Sequence, residues 1–117
     1  MKREIVDFQY PGFLIVGAMK AGTTTLMRYL VRNPYIAIPN NEIHYFDKES
    51  NYRKGLDWYK KKFSASESTQ IIGEKTPTYS YDPKVPARIY KDFPDCKIVW
   101  LFRNPVDRTY SNYIHAK

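Results

Sequence analysis

The chain has 117 residues, a formal net charge of +7 at pH 7 and a hydrophobic content of 43%. This length allows one domain, and the apolar content is enough for a buried core, which excludes an intrinsically disordered protein. The positive charge suits an anionic partner, such as a phosphorylated nucleotide, a sulfated polymer, nucleic acid or an acidic membrane surface, and does not choose among them.

The cysteine content and the N-terminal segment bear on the compartment. Cys96 is the only cysteine, which excludes an intramolecular disulfide framework and a cysteine-based zinc site. We expect it to be a small buried hydrophobe. The first apolar stretch, residues 13–16, is too short for a signal-peptide core or a membrane span. We therefore expect a cytoplasmic protein with no membrane span in this chain.

The N-terminal third predicts a strand, a glycine loop and a helix. Residues 13–16 are a continuous apolar run between two glycines, as in a central strand that is buried on both faces. Helical spacing follows over residues 22–32 and ends at Asn33-Pro34.

Weaker elements are predicted in the middle of the chain. These are a short strand at residues 36–38, a helix over residues 52–63 and a short strand at residues 71–72. The helix would bury its apolar residues, Leu56, Tyr59 and Phe63. The basic run within it reads as a solvated helix face, and we give it no functional weight.

The C-terminal third repeats the alternation. Asp82 and Pro83 form a favourable N-cap and first helical position for a helix that ends near residue 93, and residues 97–102 predict a second strongly apolar strand. Another helix is predicted to start at Asn104-Pro105 and to run through Tyr113 towards residue 117. The pattern indicates an α/β fold with a central parallel sheet, and we expect this sheet to be incomplete at its C-terminal side.

Residues 17–25, with the sequence GAMKAGTTT, join the first strand to the first helix, where backbone N–H groups and the helix dipole can face an anion. Two glycines have the spacing of a Walker A loop, but Thr23 stands where the lysine should be and Lys20 lies inside the loop. This displacement weakens a magnesium-dependent kinase or NTPase interpretation. A glycine turn that only packs a helix on a sheet would leave three successive threonines without a purpose.

Four segments together resemble one family. They are residues 17–25, residues 41–46 (NEIHYF), residues 73–79 (GEKTPTY) and residues 101–105 (LFRNP) with Ser111 after them. In this order they resemble the sulfotransferases that use 3′-phosphoadenosine 5′-phosphosulfate (PAPS), and among these the branch that sulfates glycans, including heparan sulfate. The resemblance covers most of the chain from Pro11 onward. It implies a P-loop-type, three-layer α/β/α fold in which residues 1–117 are the N-terminal part of one sulfotransferase domain.

The resemblance also implies how the donor is bound. The residues that would hold its 5′-phosphosulfate are Lys20, Ala21, Gly22, Thr23, Thr24 and Thr25. Lys20 would also stabilise the charge on the leaving side. Arg103 and Ser111 would bind the 3′-phosphate that distinguishes PAPS from ATP. Each of these residues also has an ordinary interpretation. Lys20 could be an exposed loop lysine, Arg103 could pair with Asp107, and Ser111 could be a helix serine without a function.

On the acceptor side, Glu42 matches the catalytic glutamate of the family and would be the general base. Without the resemblance, a surface loop residue is the better interpretation of Glu42. His44 is a second candidate for the base, an orienting partner or a packed histidine. Lys75 would border the donor sulfate and the acceptor, or it could be a solvated turn lysine. Asn41 replaces a lysine that is frequent in the glycan branch, which leaves the acceptor open.

The resemblance therefore predicts an enzyme that transfers a sulfuryl group from PAPS to a hydroxyl and that releases adenosine 3′,5′-bisphosphate without a metal. Within the family it favours a carbohydrate as the acceptor. His44 and His115 are too isolated for a metal cluster. The rival interpretations are a P-loop kinase or NTPase and an inactive or binding-only fragment. A nucleic-acid module ranks last, because no aromatic and basic RNA signature is present. The sequence leaves the oligomeric state open.

Overall fold

The structure is a computed structural model that describes residues 10–102. This part of the chain contains four strands, four α-helices and one 3₁₀ helix. In chain order they are β1 (Phe13–Gly17), α1 (Thr23–Leu30), β2 (Ile36–Ala37), α2 (Glu49–Tyr52), α3 (Leu56–Lys60), β3 (Ile71–Lys75), the 3₁₀ helix (Pro77–Tyr81), α4 (Val85–Asp92) and β4 (Lys97–Trp100).

The four strands form one parallel sheet in the order β2-β3-β1-β4. Strand β1 is buried along its whole length, as its uninterrupted apolar sequence predicts. It pairs with β3 so that Phe13 lies beside Gly73 and Ile15 beside Lys75. This register brings the carboxyl ends of β1 and β3 to the same edge of the sheet. The prediction of an α/β fold with a parallel sheet is confirmed.

Alternate residues of β1 enter two separate cores, one on each face of the sheet. Phe13 and Ile15 pack with Met27 of α1 in the smaller core. Leu14 and Val16 belong to the larger one. The larger core is rich in aromatic residues, Tyr45, Phe46, Tyr59, Tyr79 and Phe93. Layers of side chains on both faces of a central sheet are the expected three-layer arrangement.

The predicted helix over residues 52–63 is wrong, because two short helices, α2 and α3, stand in its place. Gly55 separates them with φ of 88°, a left-handed conformation that a continuous helix does not contain. Tyr59 is fully buried as predicted, whereas Leu56 is exposed. The ammonium groups of Lys54 and Lys62 lie 4.9 and 4.6 Å from the Trp58 ring, so part of the basic run packs on an aromatic side chain.

The predicted start of the fourth helix is also shifted. Helix α4 begins at Val85, and Pro86, not Pro83, occupies its first turn. Asp82 uses its Oδ1 to accept the N–H of Lys84 at 2.9 Å, so it forms a turn before the helix instead of capping it. Strand β3 is longer than predicted and β4 is shorter. The helix predicted from Asn104 through Tyr113 towards residue 117 lies outside the described residues.

Cys96 precedes β4 and is partly buried against the larger core. This differs from the full burial that its apolar neighbours suggested. Burial raises the pKa of its thiol to about 12, and the nearby Glu74 carboxylate adds to the effect. Within residues 10–102, none of the helices is both apolar and long enough to cross a bilayer.

Candidate active site

The loop between β1 and α1 curves around the N-terminus of α1. Lys20 and Gly22 both have left-handed backbone conformations, with φ of 59° and 94°. Gly22 occupies the N-cap position, where it offers no side chain to the first-turn amides, and the first turn carries no acidic residue. The positive end of α1 is therefore without a carboxylate or a capping side chain from its own turn. Such an end is suited to an anion.

The side chains of this loop differ in exposure. Thr23 and Ala21 are buried, whereas Thr24, Thr25 and Lys20 are exposed. The loop base is tied to the end of β4 by two backbone hydrogen bonds between Gly17, Ala18 and Leu101, of 2.8 and 2.9 Å. The predicted donor-binding residues 20–25 thus form one continuous turn at the carboxyl edge of the sheet, where ligands of open α/β sheets bind.

Lys75 connects this loop with the segment that contains Glu42. Its ammonium donates to Oγ1 of Thr24 at 3.0 Å and to Oε2 of Glu42 at 3.3 Å. The side chain of Lys75 is only 6% exposed, because it lies at the last position of β3. The alternative of a solvated turn lysine is therefore wrong. Three residues that are far apart in the sequence meet at one ammonium group.

Glu42 and His44 lie side by side. Nε2 of His44 is 3.6 Å from Oε1 of Glu42, and the two side chains are 37% and 38% exposed. Glu42 therefore has a cationic neighbour on one oxygen and an imidazole on the other, while part of its surface faces solvent. This partial exposure argues against His44 as a packed core histidine. It leaves the base and the orienting roles open.

Two residues that sequence reasoning missed complete this cluster. Nδ1 of His44 lies 3.2 Å from Oδ2 of Asp47 and 3.2 Å from Oγ1 of Thr78, which also donates to Asp47 at 2.6 Å. The other oxygen of Asp47, Oδ1, is buried without a hydrogen-bond partner among the described residues. Asp47 lies three residues after His44, and only this short spacing could have suggested from the sequence that the two side chains are in contact.

The backbone of residues 42–47 is held in place by neighbouring side chains. His44 has a left-handed φ of 55°, which few non-glycine residues adopt. The Asn51 amide donates to the carbonyls of Ile43 and His44, at 3.3 and 3.1 Å. Behind the segment, the buried Glu74 carboxylate accepts hydroxyl hydrogen bonds. Burial raises the pKa of Glu74 to about 7, although these hydroxyl donors lower it.

The arrangement can bind an anion and accept a proton in adjacent positions. The amide-rich loop and the Lys75 ammonium can stabilise negative charge, and the half-exposed Glu42 carboxylate can accept a proton from a hydroxyl. Arg103 and Ser111 lie outside the described residues. Within residues 10–102 there is no group of three or more His, Cys, Asp or Glu residues that could hold a metal ion.

Comparisons with known proteins agree with this geometry. The family profile described as "Sulfotransferase domain" matches residues 11–117. Heparan sulfate glucosamine 3-O-sulfotransferase 5 of Homo sapiens is 40% identical over 105 residues, which are 90% of this chain and 30% of that protein. The membrane-associated sulfotransferase kil1 of Dictyostelium discoideum is 39% identical over 107 residues, 88% of this chain and 22% of that protein.

A solved structure leads to the same result. The crystal structure of a sulfotransferase from Alicyclobacillus acidocaldarius superposes with a TM-score of 0.74 and 35% identity, over 90% of this chain and 49% of that chain. The chain spans less than a third of the length of the first two relatives. Its sequence match and its fold point to the same family, and the chain belongs to the sulfotransferase domain family.

Proposed function

We propose that residues 1–117 are the N-terminal part of a sulfotransferase domain that transfers a sulfuryl group from PAPS to a hydroxyl of a carbohydrate. The observation that carries the proposal is the position of the Lys75 ammonium, which contacts both Thr24 of the anion loop and the Glu42 carboxylate. Donor and acceptor chemistry would therefore meet at Lys75. The short coverage of the relatives supports the view that further chain contributes to the complete enzyme.

The donor half of the site fits a phosphosulfate group. The N-terminus of α1 lacks a capping side chain and an acidic first turn, and the exposed hydroxyls of Thr24 and Thr25 stand beside it. Lys20 lies on the same turn, in the position from which the family stabilises the leaving side. Arg103 and Ser111 stay predictions as the residues that bind the 3′-phosphate.

The acceptor half of the site contains a carboxylate that can take up the proton of the acceptor hydroxyl. In the proposed step, Glu42 takes the proton of the acceptor hydroxyl while that oxygen forms a bond to sulfur. The bond between sulfur and the bridging phosphate oxygen breaks, and adenosine 3′,5′-bisphosphate leaves with the electron pair. Lys75 and the loop amides lower the energy of the negative charge in this step. His44 is the alternative base and lies close enough to orient Glu42.

A carbohydrate acceptor is supported by the relatives, since one of them is named as acting on heparan sulfate glucosamine. The net charge of +7 is suited to an acceptor that already carries negative groups. The cytoplasmic location stays a prediction. It has no support from the relatives, one of which is named membrane-associated.

The experiment combines donor binding with transfer. Calorimetric titration with adenosine 3′,5′-bisphosphate should show saturable binding without a metal, and this binding should be lost in Arg103→Ala. Radiolabelled PAPS should then label heparan sulfate, with dextran as the uncharged control acceptor. Preference for ATP with Mg²⁺ would favour the kinase interpretation. Binding of the bisphosphate without any transfer would favour the binding-only alternative for this chain.

A further inference from the structure

Glu74 buries a carboxylate in the larger core next to the candidate site. It occupies β3 immediately before Lys75 and is 0% exposed. Its oxygens accept hydrogen bonds from three hydroxyls: Tyr59 at 2.8 Å, Tyr79 at 2.6 and 2.8 Å, and Thr76 at 3.3 Å. No cation of residues 10–102 forms an ion pair with it. Burying an unpaired carboxylate is costly, and a leucine would fill this space without the penalty.

Two of these hydroxyls also reach the backbone of the segment that carries Glu42 and His44. The Tyr79 hydroxyl accepts the N–H of Tyr45 at 3.0 Å, and the Thr76 hydroxyl accepts the N–H of Ile43 at 3.3 Å. These two amides belong to the residues on either side of His44. The Tyr59 ring stacks on the Tyr45 ring, with centroids 4.3 Å apart, but the Tyr59 hydroxyl donates to the carboxylate and forms no hydrogen bond with this segment among the described residues.

We propose that Glu74 is a positioning residue that, through Tyr79 and Thr76, fixes the backbone on both sides of His44 and thereby holds Glu42 against Lys75. The inference rests on the proposed function, since it takes Glu42, His44 and Lys75 as the groups that act on the acceptor. It adds a residue that touches neither donor nor acceptor.

The direction of the hydrogen bonds explains why a carboxylate stands at this position. Each hydroxyl has a single proton, and the hydroxyls of Tyr79 and Thr76 use their oxygens to accept amide N–H groups. Their protons therefore need a partner that only accepts. Above its pKa of about 7 the ionised carboxylate accepts all three hydroxyl protons, whereas a glutamine would in either orientation present its NH₂ group to the Tyr79 oxygen, which already accepts the Tyr45 N–H.

The positioning also accounts for the unusual backbone of His44. A left-handed φ of 55° is unfavourable for a residue with a side chain and persists only where the surroundings fix it. The Asn51 amide donates to the carbonyls of Ile43 and His44, and the two hydroxyls accept the N–H groups of Ile43 and Tyr45. The Tyr79 and Thr76 hydroxyls thus form a relay between Glu74 and this turn. Removal of the relay should let the turn relax and move Glu42 away from Lys75.

Tyr79 and Tyr59 provide a matched pair of variants. Both are fully buried tyrosines that donate to Oε1 of Glu74 at 2.8 Å, but only the Tyr79 hydroxyl also forms a hydrogen bond with the segment. Tyr79→Phe should lose more stability than Tyr59→Phe, because it also removes the acceptor of the Tyr45 N–H, and comparison with a reference amide corrects for this global difference. We expect hydrogen exchange at the Tyr45 amide, relative to the Leu14 amide in β1, to rise about tenfold or more in Tyr79→Phe and to change little in Tyr59→Phe.

Turnover supplies the second measurement. With PAPS and a carbohydrate acceptor, Tyr79→Phe should lower kcat about tenfold or more and leave the affinity for adenosine 3′,5′-bisphosphate within about twofold. Tyr59→Phe should keep kcat within about threefold. Thr76 is tested in the same way through the Ile43 amide, which its hydroxyl accepts. Thr76→Val should raise hydrogen exchange at this amide, and Thr76→Ser, which keeps the hydroxyl, should leave the exchange as in the unchanged protein.

Several results would overturn the inference. One is equal relative exchange at Tyr45 in the two phenylalanine variants, and another is unchanged kcat in a Tyr79→Phe protein whose Tyr45 amide has become exposed. If Tyr79→Phe does not fold, the comparison of Thr76→Val with Thr76→Ser decides in the same way. If the unchanged protein does not bind the bisphosphate, the proposed function fails, whereas the exchange data still test the relay.

Discussion

The ammonium of Lys75 lies 3.3 Å from the Glu42 carboxylate, although 33 residues separate the two in the sequence. Lys75 is the last residue of β3, and β3 is the direct parallel neighbour of β1. The lysine therefore lies beside the loop that follows β1, and Thr24 of α1 is its second partner. This position places one nearly buried cation between the anion loop and the candidate base.

Replacement of Lys75 by methionine tests whether this cation acts in the reaction. Methionine keeps an unbranched side chain of similar length, so we expect the fold to persist, while the loss of the charge should lower kcat about 100-fold or more. Steady-state kinetics with PAPS and heparan sulfate would measure this. Lys91→Met, on the exposed side of α4, is the matched control. A kcat for Lys75→Met within about threefold of the unchanged protein would contradict the role.

Glu42→Gln and His44→Asn together decide which group is the base. If Glu42 takes the acceptor proton, Glu42→Gln should lower kcat about 10² to 10⁴-fold without weakening adenosine 3′,5′-bisphosphate binding, and His44→Asn should have the smaller effect. Both kcat and the Kd of the bisphosphate need to be measured. Glu67→Gln, at an exposed loop position, is the control. A larger loss of kcat in His44→Asn would transfer the role to His44.

The sequence predicts the sheet well and the short helices poorly. The uninterrupted apolar run of β1 requires burial on both faces, and only a sheet covered on both sides provides this. Helix boundaries depend on weaker effects. Gly55 adopts a left-handed conformation that divides the predicted helix. An aspartate such as Asp82 is common both at a helix N-cap and in a turn, so its residue type does not decide between the two.

The candidate site shows the same division. The glycine loop could be predicted because one local segment supplies all of its amides. Asp47 and Thr78 could not, because their relation to His44 arises only when the 3₁₀ helix packs against residues 42–47. In the sequence Glu74 is only a polar residue of the GEKTPTY motif, and its burial becomes evident only from the packing of β3. Contacts between distant segments leave no local pattern in a single sequence.

Gly73 is expected to be intolerant of a side chain. A Cβ at this position would overlap the ring atoms Cε1, Cε2 and Cζ of Phe13, its partner across the strands. Gly73→Ala should therefore lower the free energy of unfolding by about 1 to 3 kcal/mol, as overpacking of a core does. Urea unfolding followed by circular dichroism would measure the change.

Phe13→Leu provides the test of the cause, since leucine lacks all three of the ring atoms concerned. The double variant Gly73→Ala, Phe13→Leu should be more stable than the sum of the two single changes predicts, because the collision is absent. Strict additivity of the two changes would show that the cost at Gly73 has another origin.

Glu74 should make the stability of the fold depend on pH near neutrality. Burial raises its pKa in the folded protein to about 7, from an ordinary value of 4.5, so between these values the folded state binds more protons than the unfolded state. The free energy of unfolding should therefore fall as the pH rises from about 4.5 to 7, by up to about 3 kcal/mol in total. The pKa of Glu49 is lowered by its hydrogen bonds with Arg88, so the stability that this carboxylate adds is present throughout this window and is lost only as the pH falls below about 4.5.

Glu74→Gln removes the titrating group and keeps the size of the side chain. Urea unfolding of both proteins at pH 5 and pH 8 would show whether the decrease in stability towards pH 8 is smaller in the variant. The comparison cancels the groups that the two proteins share, since only the difference between the two slopes is assigned to Glu74. Equal slopes would mean that the carboxylate stays ionised in the folded protein across this range, because the three hydroxyl donors then outweigh the effect of burial.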